Sequence, residues 1–337
     1  MGVLPISPAR GQGGNTGPKH ITPDAVKAIE KGLAYLVRTQ ARDGSWRTQG
    51  GIGEFPTSMT SLASLAILAS GSTTTQGPHA ESLDRATRFL LESARPGGLI
   101  TRKEEESRSM YGHGFSMLFL GELIGMEESP EKLNDLHRVL NAAIELTSRS
   151  QSALGGWLYT PDSRGDEGSV TITQVQGLRA CRNAGLFVPK STIDQALGYL
   201  DKSMLPDGGI AYRVGQSRSR PPITAAAVAC WFNAGLYQHP NAVRALAFSK
   251  RAIGNDLNPA GATSGHAFYA HLYMAQIMFL SGDDNWNWYF PEIRDQLLQR
   301  QEEDGSWMGD YIGQTYGTAI ALNILQLPYK MLPIMQR

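Results

Sequence analysis

The sequence predicts an all-α protein, an α/α toroid of six helical hairpins with an inner and an outer ring of helices. Two observations lead there. A Gln–Gly–Trp pattern recurs at one spacing, and the segment after each copy is apolar or small nearly all round. Gln40, Gly44 and Trp46 are spaced as Gln151, Gly155 and Trp157, and again as Gln301, Gly305 and Trp307. Met204, Gly208 and Ile210 keep the frame without the polar residue, and Gly97-Gly98-Leu99 reads as a shorter relic. Self-similarity of this kind marks a repeat architecture.

Each unit opens with a helix that is apolar on one side only, as at Ile29, Leu33, Leu36 and Val37,. The Gly-containing turn follows. The second helices then fall, in chain order, at 58–70, 114–124, 170–184, 224–234, 268–280 and 316–327. Thr57, Ser109, Ser169, Thr224 and Thr315 stand where caps are expected for five of them,. Gly71, Gly185, Gly235 and Gly282 suit the left-handed position after a helix end,. The fifth outer helix, around Ala242 to Arg251, is the least regular. A helix apolar on every side is buried on every side, so the second helices form the inner ring. The first and last units are the best copies of the pattern, which favours closure over an open solenoid with polar end caps.

Residues 1–21 hold many Gly and Pro and read as a flexible leader, with one toroid domain over 22–337,. Lys+Arg and Asp+Glu balance at 31 each, which excludes the bulk positive field of a nucleic-acid binder,. No apolar run approaches the roughly 20 residues that span a membrane. The chain as given reads as soluble and cytoplasmic, or as exported if a signal peptide was removed. Cys181 and Cys230 lie in apolar stretches and read as small buried hydrophobes,. No metal site and no cofactor is implied.

The run Lys31-Gly32, Tyr35-Leu36, Gln40, Gly44, Trp46 resembles the QW repeat of squalene-hopene and oxidosqualene cyclases. It is similar also to the repeats of protein prenyltransferase β subunits. The resemblance covers nearly the whole chain from Thr22, as a repeat pattern. It implies an α/α toroid with an isoprenoid or other long apolar ligand in its centre. Within the repeat, the Gln is expected to bond a neighbouring helix end and the Trp to cover it from the next unit. The DxDD and DCTAE motifs of the cyclases and the Asp-x-Cys zinc motif of the transferases do not occur; the nearest approach is Asp162 to Glu167.

All six inner helices point their N-termini at one face, where the dipoles favour an acidic group or an anionic ligand. The turns there carry the charged run Arg102 to Arg108, then Asp162, Arg164, Asp166 and Glu167, then Arg213, Arg218 and Arg220. An outward rim accounts for such charges without any function. Aromatic and imidazole residues gather at the starts of the inner helices. Tyr111, Phe115, Tyr269, His271, Tyr273, Tyr311 and Tyr316 are the candidate ligand-binding residues,; the alternative is that they fill the ring's centre. For acid chemistry Asp162, Asp166 and Glu167 are the candidate donors, with His113 and His266 as base or orienting partner,. Three functions fit. The first is an isoprenoid cyclase-like or prenyltransferase-like protein holding an apolar or lipid-like ligand. The others are a non-catalytic protein- or peptide-binding module and a carbohydrate-active enzyme.

Overall fold

The computed structural model describes residues 18–50, 53–257, 263 and 265–335. Among them twelve α-helices alternate between two layers, with isolated β-bridges only in the turns. The outer layer holds α1 (Pro23–Thr39), α3 (Ala80–Glu92), α5 (Pro130–Arg149), α7 (Lys190–Lys202), α9 (Pro240–Ala252) and α11 (Asp283–Gln299). The inner layer holds α2 (Pro56–Leu68), α4 (Ser109–Ile124), α6 (Gly168–Asn183), α8 (Pro221–Asn233), α10 (Ala267–Leu280) and α12 (Gln314–Leu325). Burial follows the expected split. Every residue of α2 is buried, whereas α1 buries one stripe that includes Ile29, Leu33 and Leu36.

The inner ring closes. Each inner helix packs on the next in chain order, and α12 packs back on α2. Asn323 donates from Nδ2 to the Leu62 carbonyl at 3.3 Å, and Gln326 from Nε2 to the Ala66 carbonyl at 2.9 Å. The outer ring meets where α1 packs against α11. Of the leader expected over 1–21, residues 1–17 lie outside the described residues. Ile21 is buried, and His20 is held by Asn287 and Arg294 of α11.

The repeated motif is the joint between units. Gln40 Nε2 donates to the Gly44 carbonyl and to Ser82 O of the next outer helix, at 2.8 and 2.9 Å. Gln151 does the same to Gly155 O and Thr192 O, at 2.8 and 2.9 Å. The tryptophans turn the other way, back to their own unit. Trp46, Trp157 and Trp307 donate from Nε1 to Leu36 O, Thr147 O and Leu297 O, at 2.9, 2.8 and 2.7 Å. Each thereby bonds a carbonyl in the last turn of its own outer helix. The glycine is demanded twice over. Gly155 sits at φ 101°, and a Cβ there would fall 2.2 Å from Gln195 O of the next outer helix,. Gly98 has the same geometry against Ala142 O, with Ile100 in the tryptophan's place. The second unit is therefore in full register, disguised in sequence because Ala94 stands where Gln40, Gln151 and Gln301 stand in the first, third and last units.

The inner-helix caps are not the expected ones. Thr57, Ser109, Ser169, Thr224 and Thr315 lie in the first turns of their helices, and none is an N-cap. Glu167 caps α6 from its own turn, and elsewhere several first-turn amides are satisfied from the following unit. Gln49 takes Thr315 N, Glu105 takes Thr57 N, and Asp310 takes Phe268 N. The Tyr159 and Tyr212 carbonyls take Met110 N and Gly168 N.

The C-terminal segment closes the far end. Two short 3-10 turns, Leu327–Tyr329 and Pro333–Met335, pack on α6, α10 and α12. Leu332 and Ile334 are buried. Glu122 of α4 accepts from Ile334 N at 3.0 Å. The ring is a blind cup whose opening is at the inner-helix N-termini.

Candidate functional site

At the open end a cavity of about 470 Å³ enters the ring. Every inner helix contributes to its wall: Met59 and Leu62 from α2, Tyr111 and Phe115 from α4, Ser169 from α6, Ile223 from α8, Tyr269 from α10 and Tyr316 from α12. Phe55, Tyr159, Tyr212, His266 and Tyr311 lean in from the turns. Such a size and lining are those of a small-molecule site rather than a packing defect. Phe55 is held at φ 42°, a left-handed conformation that an aromatic residue adopts only when its surroundings enforce it,.

The aromatic groups are locked to one another. Tyr111 lies 6.0 Å from Tyr159 between ring centroids, and the Tyr159 and Tyr212 hydroxyls bond each other. Tyr269 meets Tyr273 edge-on at 5.0 Å, and His266 meets Tyr311 at 5.5 Å. The Tyr111 hydroxyl is 2.7 Å from Ser169 Oγ and donates to Glu167 Oε1 at 3.3 Å. Burial and the Glu167 carboxylate push the Tyr111 phenol well above its ordinary range, so it stays protonated,. Burial and the nearby Arg220 cation hold the His266 imidazole below its usual value.

Of the residues singled out in the sequence, the structure gathers Tyr111, Phe115, His266, Tyr269, Tyr311 and Tyr316 around the cavity. Tyr273 is one ring behind Tyr269. Asp162 is exposed on the rim. Asp166 accepts from Ser152 Oγ at 2.7 Å, within its own turn. Glu167 is fully buried as the N-cap of α6, where it accepts from Ser169 N and Val170 N at 2.7 Å each. It reaches the cavity through Tyr111 and Ser169, whose hydroxyls both bond its carboxylate. Burial raises its carboxyl while those amides oppose the rise.

His113 and His271 lie off the cavity and are held neutral by burial. His113 Nδ1 accepts from Ile100 N at 3.2 Å, so its other nitrogen carries the proton toward Thr147 Oγ1 at 2.9 Å,. Full burial drives its pKa down to about 4. His271 bonds the Asp256 carbonyl and the Tyr289 hydroxyl at 2.8 Å each, facing the outer ring, and burial lowers it to about 4 as well.

Three features of the site escaped the sequence. Tyr159 and Tyr212 stand two residues after Trp157 and Ile210, where the extended chain points every second side chain inward. Thr48 keeps the same offset from Trp46 and also lines the cavity, so the motif itself carried that signal. Asp310 was missed for want of any motif. Held at φ 50°, it caps α10 through Phe268 N, and burial pushes its carboxyl up to about 6. Arg108 and Arg220 were read only as rim charges, yet both line the cavity.

The fold is a terpenoid-cyclase-like α/α toroid. No family model matches the chain. Drimenyl diphosphate synthase of Streptomyces showdoensis is 24% identical over 194 residues, 58% of this chain and 34% of that protein. The match therefore spans about a third of the relative's length. The type II terpene cyclase MstE from Scytonema, in a variant complexed with geranylgeranyl dihydroxybenzoate, superposes with a TM-score of 0.61 at 15% identity. That alignment covers 92% of this chain and 98% of that one. An inactive α-1,6-mannanase variant of Salegentibacter, in complex with α-1,6-mannotriose, superposes with a TM-score of 0.62 at 11% identity, covering 91% and 99%. Cyclases and glycosidases thus share the shape, and the cavity's own chemistry has to separate them.

Proposed function

We propose that the protein binds a long, unsaturated apolar molecule of the isoprenoid class in the axial cavity. The observation that carries this is the lining: mostly Met, Leu, Ile, Pro, Phe and Tyr side chains, with Arg108, Arg220, His266 and a few Ser and Thr, and no Asp or Glu among the described residues. The segments outside the described residues contain no Asp or Glu either. Hydrolysis of a glycosidic bond uses two carboxylates flanking the bond. Aromatic faces and apolar walls suit a polyene, whose weakly polarised double bonds pack against rings. A ring of Tyr faces also suits a developing carbocation.

Glu105, Glu167 and Asp310 each accept from helix amides, while Glu105 Oε2 and Asp310 Oδ2 are buried without a further hydrogen-bond partner. None of the three lines the cavity itself, so containment of the ligand, rather than proton delivery by one of these groups, is the role assigned to it. A chain entering at the tyrosine rim would run toward the blind far end. The likeness to terpene cyclases supports the ligand class.

Native mass spectrometry of protein purified from its own host tests this. The expected spectrum shows a bound apolar species released by mild activation, with an isoprenoid mass pattern. A bound oligosaccharide, or saccharide binding without any polyene binding, would overturn the assignment.

A further inference from the structure

A second recess, of about 510 Å³, lies at the joint between the first and second units and shares no residue with the axial cavity. The turn after α1 forms one side of it, and the second half of α3 with the start of the following turn forms the other. Five arginines border it, against the three carboxylates Asp43, Glu92 and Glu104. Two of the five are neutralised. Arg47 pairs with Asp43 and Glu54, and Arg88 pairs with Asp84, each at 3.0 Å. The other three have no close carboxylate. Arg42 is exposed, with no partner among the described residues. Arg85 donates to Gln40 Oε1, a neutral acceptor, and its Nε is buried without a hydrogen-bond partner. Arg102 donates to Ser93 Oγ and the Phe89 carbonyl, with Cζ 4.6 Å from the Phe89 ring centroid. Its one ionic contact, Glu92, stands 3.9 Å off and is 72% exposed.

The joint itself does not require these side chains. A Cβ on Gly44, Gly98 or Gly155 would meet the carbonyls of Arg85, Ala142 and Gln195 respectively, so those three residues occupy one place in successive units. Arg42, two residues before its glycine, is matched by Pro96 and Ala153. Arg102, four residues after Gly98, is matched by Thr48, Tyr159 and Tyr212, which line the axial cavity, yet it turns instead onto α3. Three guanidinium groups without counter-ions in one recess repel one another, a cost that a bound anion offsets.

We propose that this recess is a second binding site, in which Arg42, Arg85 and Arg102 hold a ligand carrying clustered phosphate oxyanions. Guanidinium groups bond phosphate oxygens in pairs, and three of them in one recess favour a polyphosphate over a single carboxylate. A soluble polyphosphate and a phosphorylated lipid headgroup offer the same oxyanions, and the test separates them. The site is independent of what fills the axial cavity.

The test uses two probes at low ionic strength: inorganic tripolyphosphate by calorimetry, and phosphatidylcholine vesicles with and without phosphatidylinositol bisphosphate by co-sedimentation. Tripolyphosphate is expected to bind, and to weaken as salt is added. The Arg85→Gln/Arg102→Gln double variant should lose at least about ten-fold in affinity. Arg85→Lys/Arg102→Lys, which keeps the charge and loses the fork, should retain part of it. Arg42→Gln removes an exposed side chain that packs on nothing, so the fold is not at stake; it should weaken binding about three-fold. Arg220→Gln, at the axial cavity, should bind like the parent. Binding to the phosphoinositide vesicles without any to tripolyphosphate, lost in the double Gln variant, supports the site with a lipid headgroup as its source. Binding of neither probe by the parent overturns the proposal. So does parental affinity in both the double Gln variant and Arg42→Gln, or a loss confined to Arg220→Gln.

Discussion

Gln301, just past the last outer helix, donates from Nε2 to the Ala28 carbonyl of the first, 2.9 Å away. Its second bond, to Gly305 O at 2.9 Å, repeats what Gln40 and Gln151 do inside the chain. The end of the protein is thus joined to its beginning by the same joint that links neighbouring units.

Closure predicts that Gln301→Ala is as harmful as the same change within the chain. Two carbonyls lose their donor, a cost of about 1–2 kcal/mol. Urea denaturation should show Gln301→Ala and Gln151→Ala destabilised to a similar degree. A ring that frays at its seam would show almost no effect from Gln301→Ala.

The architecture was legible because its causes are local. Gly155 is forced by its backbone, and Trp157 bonds the helix-end carbonyl of Thr147 ten residues earlier. What stayed hidden depends on contacts distant in sequence. Asp310 caps a helix 42 residues before it, and Glu105 one 48 residues before it. His113 shows how a chemical residue type can mislead. It stands where Thr60, Thr171, Thr224 and Thr318 stand in other units, each accepting the amide of the motif's last residue. Aligned with those threonines, the imidazole reads as a joint.

His113→Ala should therefore act on stability. It removes the acceptor for Ile100 N, takes a partner from Thr147, and leaves a void, for a loss of roughly 2–4 kcal/mol. Affinity of the folded variant for farnesol should equal the parent's. A variant of parental stability with lost binding would assign His113 to the site instead.

Glu122 makes stability depend on pH. Burial pushes its carboxyl up to about 7 from an ordinary 4.5, against the Ile334 amide that it accepts. The folded state holds the proton more tightly than the unfolded chain. This contribution is fully present below about pH 4.5 and is lost as pH rises through about 7. Glu122→Gln stays neutral and keeps an acceptor for Ile334 N. Its stability relative to the parent should climb across that window by on the order of 3 kcal/mol. Chemical denaturation of both proteins at pH 5 and pH 8 measures it. A difference independent of pH would contradict the assignment.

The cavity is tested most directly by filling it. Leu62 lines its wall from α2 and is 2% exposed. Leu62→Trp projects an indole into the open volume, with little cost where there is space to receive it. Calorimetric titration with farnesol should give binding to the parent with a negative heat-capacity change, the mark of buried apolar surface. In Leu62→Trp that binding should fall at least about ten-fold, a loss of about 1.4 kcal/mol, while the thermal midpoint stays within a few degrees. Equal farnesol binding by parent and variant, or none by either, would contradict an apolar ligand in the ring.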